Sequence, residues 1–254
     1  MNESILERIQ SSAKALKIDL YTAELASYAD EKELTPEALE AVCGVFEYLE
    51  QKKYDSMVHT MLKLSKLPMN EPKTFERFDF SRLHGKHVQS LKNLSSLSAL
   101  YAGKNLAMAF GRECCLKGYK TYFLRASELN QKLTDARKHG REGAVINGLV
   151  KPSCLIIDEI GRCVFDKENT RMFFDVIDRR YNKDGPSTMI FTSNKTPNQW
   201  GEYFSEDDTL LCSLDRVFDD ATVFMIKGDS YRGRKLETLG LEAGIAKHTE
   251  YKNA

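Results

Sequence analysis

The chain lacks long hydrophobic runs, and none of its apolar stretches approaches the roughly 20 residues that a membrane-spanning helix needs. Residues 1–7 show neither the basic segment nor the apolar segment of a secretory signal. An excess of charge of one sign is also missing, because 37 Lys and Arg residues balance 37 Asp and Glu residues. We therefore expect a cytoplasmic protein with no membrane partner, in which any basic surface is local.

Paired cysteines are absent as well. The six cysteines include no C-x-x-C motif, the five histidines show no ligand spacing, and Cys154 and Cys212 lie in apolar contexts. This usage is typical of reduced, buried thiols rather than of a disulfide framework or a zinc site.

A phosphate-binding loop is the most consequential absence. Such a loop requires G-x-x-x-x-G-K-[ST] between a strand and a helix, where backbone amides wrap the phosphates and the hydroxyl coordinates magnesium. The nearest segment, residues 98–105, lacks the first glycine, has Asn105 in place of the hydroxyl residue, and follows a leucine-rich helical pattern. We expect Lys104 to be a solvated lysine rather than a phosphate ligand.

What the chain does contain is an apolar run that leads directly into two carboxylates. Residues 154–157 are small or apolar, and Asp158 and Glu159 follow them. A continuous run of this kind is typical of a buried parallel strand, and open α/β sheets bind ligands at the carboxyl ends of their strands. In P-loop ATPases the first acid holds magnesium and the second can polarise the attacking water. The competing interpretation is a core strand that ends in a solvated acidic turn.

The hydrophobic pattern divides the chain into a helical part and an α/β part. Residues 1–67 favour helices, and prolines break the pattern in a linker at residues 66–73. The aromatic residues Phe75, Phe78 and Phe80 are predicted to dock this linker on the next domain. The predicted helices cover residues 5–16, 35–49, 54–67, 85–100, 106–117, 128–139, 170–181 and 210–217.

Short strands alternate with these later helices, which indicates a parallel sheet covered on both faces and an α/β fold class. The predicted strands cover residues 121–124, 155–158, 188–192 and 221–226.

Three polar segments follow the acidic pair along the chain. Thr192-Ser193-Asn194 ends a predicted strand, where it could orient a water or form a capping turn. Asp215-Arg216 lies in an apolar helix, where the arginine could form a structural ion pair or reach a phosphate on a neighbouring subunit. Residues 227–234 carry a lysine and two further arginines, which could bind phosphate or form a basic tail.

A basic segment precedes the acidic pair. Its cations lie on and just beyond one predicted helix, and glycines flank them. They could contact DNA phosphates, or they could belong to a solvated helix end, where cations suit the helix dipole. No base-reading motif is present, so any binding would be largely independent of sequence. The candidate DNA residues are Lys132, Arg137, Lys138 and Arg141.

Taken together, these segments resemble the IstB family, the helper ATPases of insertion-sequence transposons, which are related to DnaC helicase loaders within the AAA+ class. The resemblance covers residues from about 75 to 240, and the N-terminal helices are similar to the accessory domain of that family. It is carried by the segments 155–161, 177–181, 192–194, 200–202, 214–216 and 227–232.

The resemblance implies a role for each candidate site residue. Asp158 and Glu159 correspond to the Walker B pair, with Asp158 as the magnesium and cofactor ligand and Glu159 as a catalytic residue. Asn194 corresponds to sensor 1, Arg216 to the arginine finger, and Arg232 to the sensor 2 arginine that binds the nucleotide. The implied cofactors are ATP and Mg²⁺.

The implied fold is an AAA+ P-loop-NTPase-like parallel sheet flanked by helices. We predict a small helical N-terminal domain at residues 1–70, an ATPase-like domain at 71–240 and a tail at 241–254. In the family, a segment like residues 103–106 begins the strand that feeds the loop, and one like residues 107–113 lies on the helix after it. The two are fused here, so roughly a dozen residues are missing and we expect weak or absent ATP binding.

The leading interpretation is a homo-oligomeric helper protein that assembles on double-stranded DNA and assists a transposase. Two alternatives stay open at this point. One is a replicative helicase loader of the DnaC kind. The other is a non-hydrolysing module that binds DNA or protein without a working nucleotide site.

Overall fold

The computed structural model describes residues 4–78, 80, 104–205, 217, 221, 223 and 224. Residues 1–224 form one compact unit, and residues 225–254 are assigned to a second. The predicted helix at 85–100 and the tail at 241–254 lie outside the described residues, and the proposed domain boundaries stay predictions.

Three helices form the N-terminal part, and their starts are set by capping side chains. Helix α1 (Ile5–Leu16) begins with a capping box, in which the Ser4 hydroxyl accepts the Glu7 amide and the Glu7 carboxylate accepts the Ser4 amide. Helix α2 (Thr22–Glu31) was not predicted. Helix α3 (Pro36–Leu64) begins with the Thr35 hydroxyl accepting the Ala38 amide and with proline in the first turn.

Helix α3 corrects the prediction of two separate helices at residues 35–49 and 54–67. The intervening residues 50–53 are Glu, Gln, Lys and Lys, which favour helix, and no proline or glycine interrupts them. Helix α1 packs along α3, and Arg8 joins the two through contacts of 2.9 Å with Glu40 and 2.7 Å with Glu47.

A three-stranded parallel sheet forms the centre of the α/β part, with strand order β1-β2-β3. The strands are β1 (Thr121–Arg125), β2 (Cys154–Ile160) and β3 (Thr188–Ser193). Helices flank the sheet, so the predicted fold class, a parallel sheet flanked by helices, is confirmed. The fourth predicted strand, 221–226, is not confirmed, because its described residues, 221, 223 and 224, belong to no strand.

The sheet buries alternate residues against two different sets of helices, as the two-residue period of a strand requires. Helix α4 (Lys104–Leu116) packs on the face that carries Phe123, Ile156 and Ile190. A Cβ atom on Gly111 of α4 would lie 2.6 Å from Ile156 Cδ1, so any other residue here would require the Ile156 side chain to shift.

The aromatic linker residues pack on this same face. Phe75 is buried in the cluster formed by α4 and the sheet, and Phe78 and Phe80 pack against that cluster. The predicted docking of the linker is therefore confirmed.

The opposite face is covered by α5 (Ala126–Lys138), α6 (Glu142–Val150) and α7 (Lys167–Tyr181). Helix α6 was not predicted. The sequence places Ser127 just before the predicted helix 128–139, where it could cap that helix, but the cap position is Arg125, whose amide donates to the Glu128 carboxylate at 3.1 Å. Among the described residues, none of the helices is both long and apolar enough to span a membrane.

The predicted burial of the thiols is confirmed for four of the five cysteines that the structure describes. Cys43, Cys114, Cys115 and Cys154 are buried free cysteines, and Cys163 is half-buried. A hydrogen bond with the Cys114 thiol and burial together raise the pKa of Cys154 well above its usual value. Cys154 is therefore a neutral core side chain at physiological pH.

Arg180 of α7 joins α6, the turn before β2 and the start of β3 from inside the core. Its Nη1 donates to the carbonyls of Leu149 at 3.1 Å, Val150 at 2.9 Å and Pro152 at 2.7 Å, and its Nη2 donates to the Thr188 carbonyl at 2.8 Å. The residue is 1% exposed. Burial lowers its pKa to about 10, so it remains cationic at neutral pH and suits the carbonyl end of α6.

We predict that Arg180→Ala destabilises the protein by about 3 to 5 kcal/mol, because four backbone carbonyls lose their donor and a cavity opens in the core. The matched control is Arg179→Ala, which removes an exposed pair with Asp175 and should cost less than about 1 kcal/mol. Urea denaturation measures both values. Equal stability of the two variants would contradict the role assigned to Arg180.

Candidate functional site

The acidic pair lies where the pairing between β2 and β3 is interrupted. The regular register ends at Ile157 and resumes at Ile160, so Asp158 and Glu159 occupy a bulge in β2. Glu159 has a φ of 62°, in the left-handed region that residues other than glycine seldom adopt. Because bulges re-aim side chains near active sites, the irregularity supports a functional interpretation of the pair.

The hydroxyl of Thr192 bridges this interruption. Thr192 Oγ1 donates to Asp158 Oδ1 at 2.6 Å and accepts the amide of Glu159 at 3.0 Å. Asp158 is fully buried at the end of β2. One side chain of β3 therefore fixes both the first carboxylate and the unusual backbone of the second acid.

The neighbouring hydroxyl has a similar structural role. Ser193 Oγ donates to the Ile160 carbonyl at 2.7 Å and accepts the Lys195 amide at 2.9 Å. Asn194 is exposed in the turn that follows β3. Of the polar trio predicted from the sequence, two members hold the strand ends together, and Asn194 is the one that faces solvent.

Glu159 is held by a cation from the same turn. Arg162 Nη1 lies 2.7 Å from Glu159 Oε1, and the glutamate side chain is 20% exposed. The sequence did not single out Arg162, although its position three residues after Glu159 is a spacing at which turn residues meet. The second acid thus has an electrostatic partner that limits its side-chain freedom.

The carboxylates fit the chemistry of a magnesium site only in part. Mg²⁺ prefers oxygen ligands and is usually held by one or two carboxylates together with substrate phosphates. Asp158 supplies such an oxygen at the strand end. Within the residues that the structure describes, no group of three or more His, Cys, Asp or Glu side chains is arranged to hold a metal.

A nucleotide fits the site less well. Helix α4 begins at Lys104, and no G-x-x-x-x-G-K-[ST] sequence precedes it anywhere in the chain. The predicted residues Arg216 and Arg232 lie outside the described residues. The acids that would serve magnesium and water are thus present, whereas the loop that would hold the phosphates is missing from the sequence.

The four candidate DNA residues occupy different surroundings. Lys138 and Arg141 are exposed, and Lys132 is half-buried. Arg137 is engaged within the chain: its Nη1 lies 2.8 and 2.7 Å from the two carboxylate oxygens of Asp166. The structure therefore separates Arg137 from the other three cations.

An open groove of about 840 Å³ lies between β1, α5 and α6. Lys132 and Arg141 line it, and so does Lys66, which the sequence analysis missed because it lies in the linker. Lys66 Nζ is 5.4 Å from the centre of the Tyr122 ring. The groove also contains two acids, Glu128 and Asp135, so its cationic character is moderate.

The sequence matches the family model described as IstB-like ATP binding protein over residues 11–238. This chain belongs to that family. The match extends over both the N-terminal helices and the α/β part, so the resemblance inferred from the motifs is confirmed.

Relatives among insertion-sequence proteins agree with this assignment. An ATP-binding protein of insertion sequence IS5376 from Geobacillus stearothermophilus is 34% identical over 197 residues, which cover 72% of this chain and 76% of that protein. The ATP-binding protein of IS21 from Pseudomonas aeruginosa is 28% identical and covers 93% of this chain and 91% of its own length.

Solved structures resemble the chain in fold at low sequence identity. AMPPCP-bound DnaA from Aquifex aeolicus has a TM-score of 0.49 at 20% identity, covering 65% of this chain and 52% of that one. The DnaC helicase loader has a TM-score of 0.46 at 14% identity, and the alignment covers 60% of this chain and 98% of the DnaC chain.

We predict that Thr192→Val destabilises the protein by about 1 to 3 kcal/mol, because the buried carboxylate of Asp158 loses a donor and the Glu159 amide loses an acceptor. Thr192→Ser keeps the hydroxyl and is the matched control. Guanidinium denaturation compares the two variants. If valine is tolerated as well as serine, the hydroxyl does not hold the acidic pair.

Proposed function

We propose that this chain is a helper protein of insertion-sequence transposition, which assembles on double-stranded DNA as a homo-oligomer and assists a transposase in the cytoplasm. The observation that carries the proposal is the family match across residues 11–238. The relatives named above are insertion-sequence proteins, which favours a transposition helper over the helicase-loader alternative.

The nucleotide site follows from the bulge in β2. In this proposal Asp158 is the magnesium ligand, Glu159 polarises the attacking water, and Asn194 is the polar group at the neighbouring strand end. Arg216 would act across a subunit interface, and Arg232 would contact the nucleotide. ATP bound with Mg²⁺ would supply the phosphoryl group.

The missing phosphate loop limits this chemistry. Without backbone amides around the phosphates, the carboxylates alone would bring negative charge toward a polyanion, which disfavours binding. The second candidate function is a module that binds DNA or protein without hydrolysis. The lack of a phosphate-loop motif favours it. Titration with nucleotide distinguishes the two.

We predict that calorimetric titration with ATP and magnesium detects no binding in the micromolar range. A variant with a strand and phosphate loop inserted between Leu106 and Ala107, in the first turn of α4, should bind, because the rest of α4 from Ala107 onward would follow the loop beside the sheet that carries Asp158. In that variant Glu159→Gln should keep binding and lose turnover, since the amide cannot accept the proton of the water.

Two results would count against these assignments. Micromolar affinity in the unmodified chain would show that the missing loop does not prevent binding. A loop-restored protein that folds but binds no ATP would refute the Walker B role of Asp158 and Glu159.

The DNA surface in this proposal comprises Lys132, Lys138 and Arg141, together with Lys66, which lines the same groove as Lys132 and Arg141. These cations come from a linker, from α5 and from the turn before α6, so they present separated charges suited to successive phosphates. The contacts are to the DNA backbone, and binding is expected to fall steeply with salt.

We predict that changing Lys132, Lys138 and Arg141 together to Ala weakens duplex binding and reduces the slope of log K against log salt by about 0.9 for each lost phosphate contact. The matched control changes three exposed lysines outside the groove, Lys120, Lys151 and Lys167, to Ala. Fluorescence anisotropy over a salt series gives both slopes. Equal slopes in the two triple variants would assign these cations to a solvated helix end.

A further inference from the structure

Arg137 differs from the other cations at the end of α5 because its guanidinium forms an ion pair with Asp166 of the same chain. Its Nη1 lies 2.8 and 2.7 Å from the two Asp166 oxygens and 3.1 Å from Asn169 Oδ1. All three contacts use the same nitrogen, and the arginine side chain remains 34% exposed. It lies directly before Lys138 and four residues before Arg141 in sequence, so it belongs to the same basic end of the helix.

Asp166 is well placed to remain ionised. Its carboxylate caps α7 by accepting the Asn169 amide at 2.7 Å, and it lies at the positive end of that helix. The Asn169 amide and Arg137 together hold the pKa of Asp166 below its usual value, against the opposing effect of partial burial. At neutral pH the carboxylate is therefore a permanent anionic neighbour of Arg137.

The surrounding contacts keep the two groups together. Asn169 is 1% exposed, and its Nδ2 donates to Asn130 Oδ1 and Thr134 Oγ1, both at 2.8 Å. Asn130 Nδ2 in turn donates to the Val164 carbonyl at 3.1 Å. These bonds attach α5 to the turn that follows the acidic pair and to the start of α7, so the pairing of Arg137 with Asp166 is built into the packing.

We propose that Asp166 competes with DNA phosphate for Arg137 and thereby lowers the DNA affinity of this surface. The inference rests on the proposed DNA binding of the same basic end. Both anions present oxygens to one guanidinium, and in the unmodified chain the carboxylate of Asp166 holds it. Without that carboxylate, Arg137 is free to make one additional phosphate contact.

The test is Asp166→Asn, because asparagine caps a helix about as well as aspartate but has no charge. Duplex affinity should rise about two- to five-fold, which corresponds to the loss of one exposed ion pair. The slope of log K against log salt should steepen by about 0.9, for one added phosphate contact. Anisotropy with a labelled duplex of arbitrary sequence measures both.

The matched control is Glu168→Gln, in the same first turn of α7, which removes an equal charge from an exposed pair with Arg171 and leaves Arg137 untouched. It should raise affinity less and leave the salt slope unchanged. In an Arg137→Ala background, Asp166→Asn should have no larger effect than Glu168→Gln. Asp166→Ser, which also caps, replaces Asp166→Asn if the asparagine variant is poorly folded.

Three outcomes decide the inference. A steeper slope for Asp166→Asn alone, lost when Arg137 is changed, supports it. Equal effects of Asp166→Asn and Glu168→Gln overturn it while leaving the proposed DNA binding in place. If the unmodified protein shows no salt-dependent binding to the duplex, the proposed function fails and this inference fails with it.

Discussion

The hydrogen bond from Thr192 Oγ1 to Asp158 Oδ1 is the constraint on which the candidate site depends. The backbone pairing of β2 with β3 breaks at the two acids, and this hydroxyl restores a connection there. It also holds the Glu159 amide, which lets that residue keep a positive φ. The strand end is therefore rigid where ligand-binding geometry would require it.

The other end of the sheet is secured in a different way. Arg180 gathers the carbonyls at the end of α6 and at the start of β3 around one guanidinium. A guanidinium is effective there because it carries several N–H donors. A side chain with a single neutral donor could not satisfy all of the carbonyl groups that converge at this buried position. The sheet is thus fixed by an arginine at its amino end and by two hydroxyls at its carboxyl end.

The acidic pair and the basic cations lie on different elements. Asp158 and Glu159 are fixed where β2 meets β3, and no G-x-x-x-x-G-K-[ST] motif occurs in the chain. Lys132, Lys138 and Arg141 lie on α5 and just before α6. The network around Asn169 is the physical connection between the basic helix and the turn after the acids.

The sequence alone determined the α/β class, the three strands, the acidic pair and the family. Each is a local signal: an apolar run of strand length, a charge pair at its end, or a spaced set of motifs. It also shows that no G-x-x-x-x-G-K-[ST] motif occurs in the chain, whereas the loss of a phosphate loop stays a prediction.

Only the tertiary structure decided which polar side chains form hydrogen bonds or ion pairs with distant segments of the chain. Thr192 lies 34 residues from Asp158, Arg137 lies 29 from Asp166, and Arg180 lies 31 from Leu149. No local pattern distinguishes a threonine that supports a carboxylate from one that caps a turn, or an arginine that faces DNA from one paired with an aspartate. Those roles are set by which strand ends and helix ends the packing brings together.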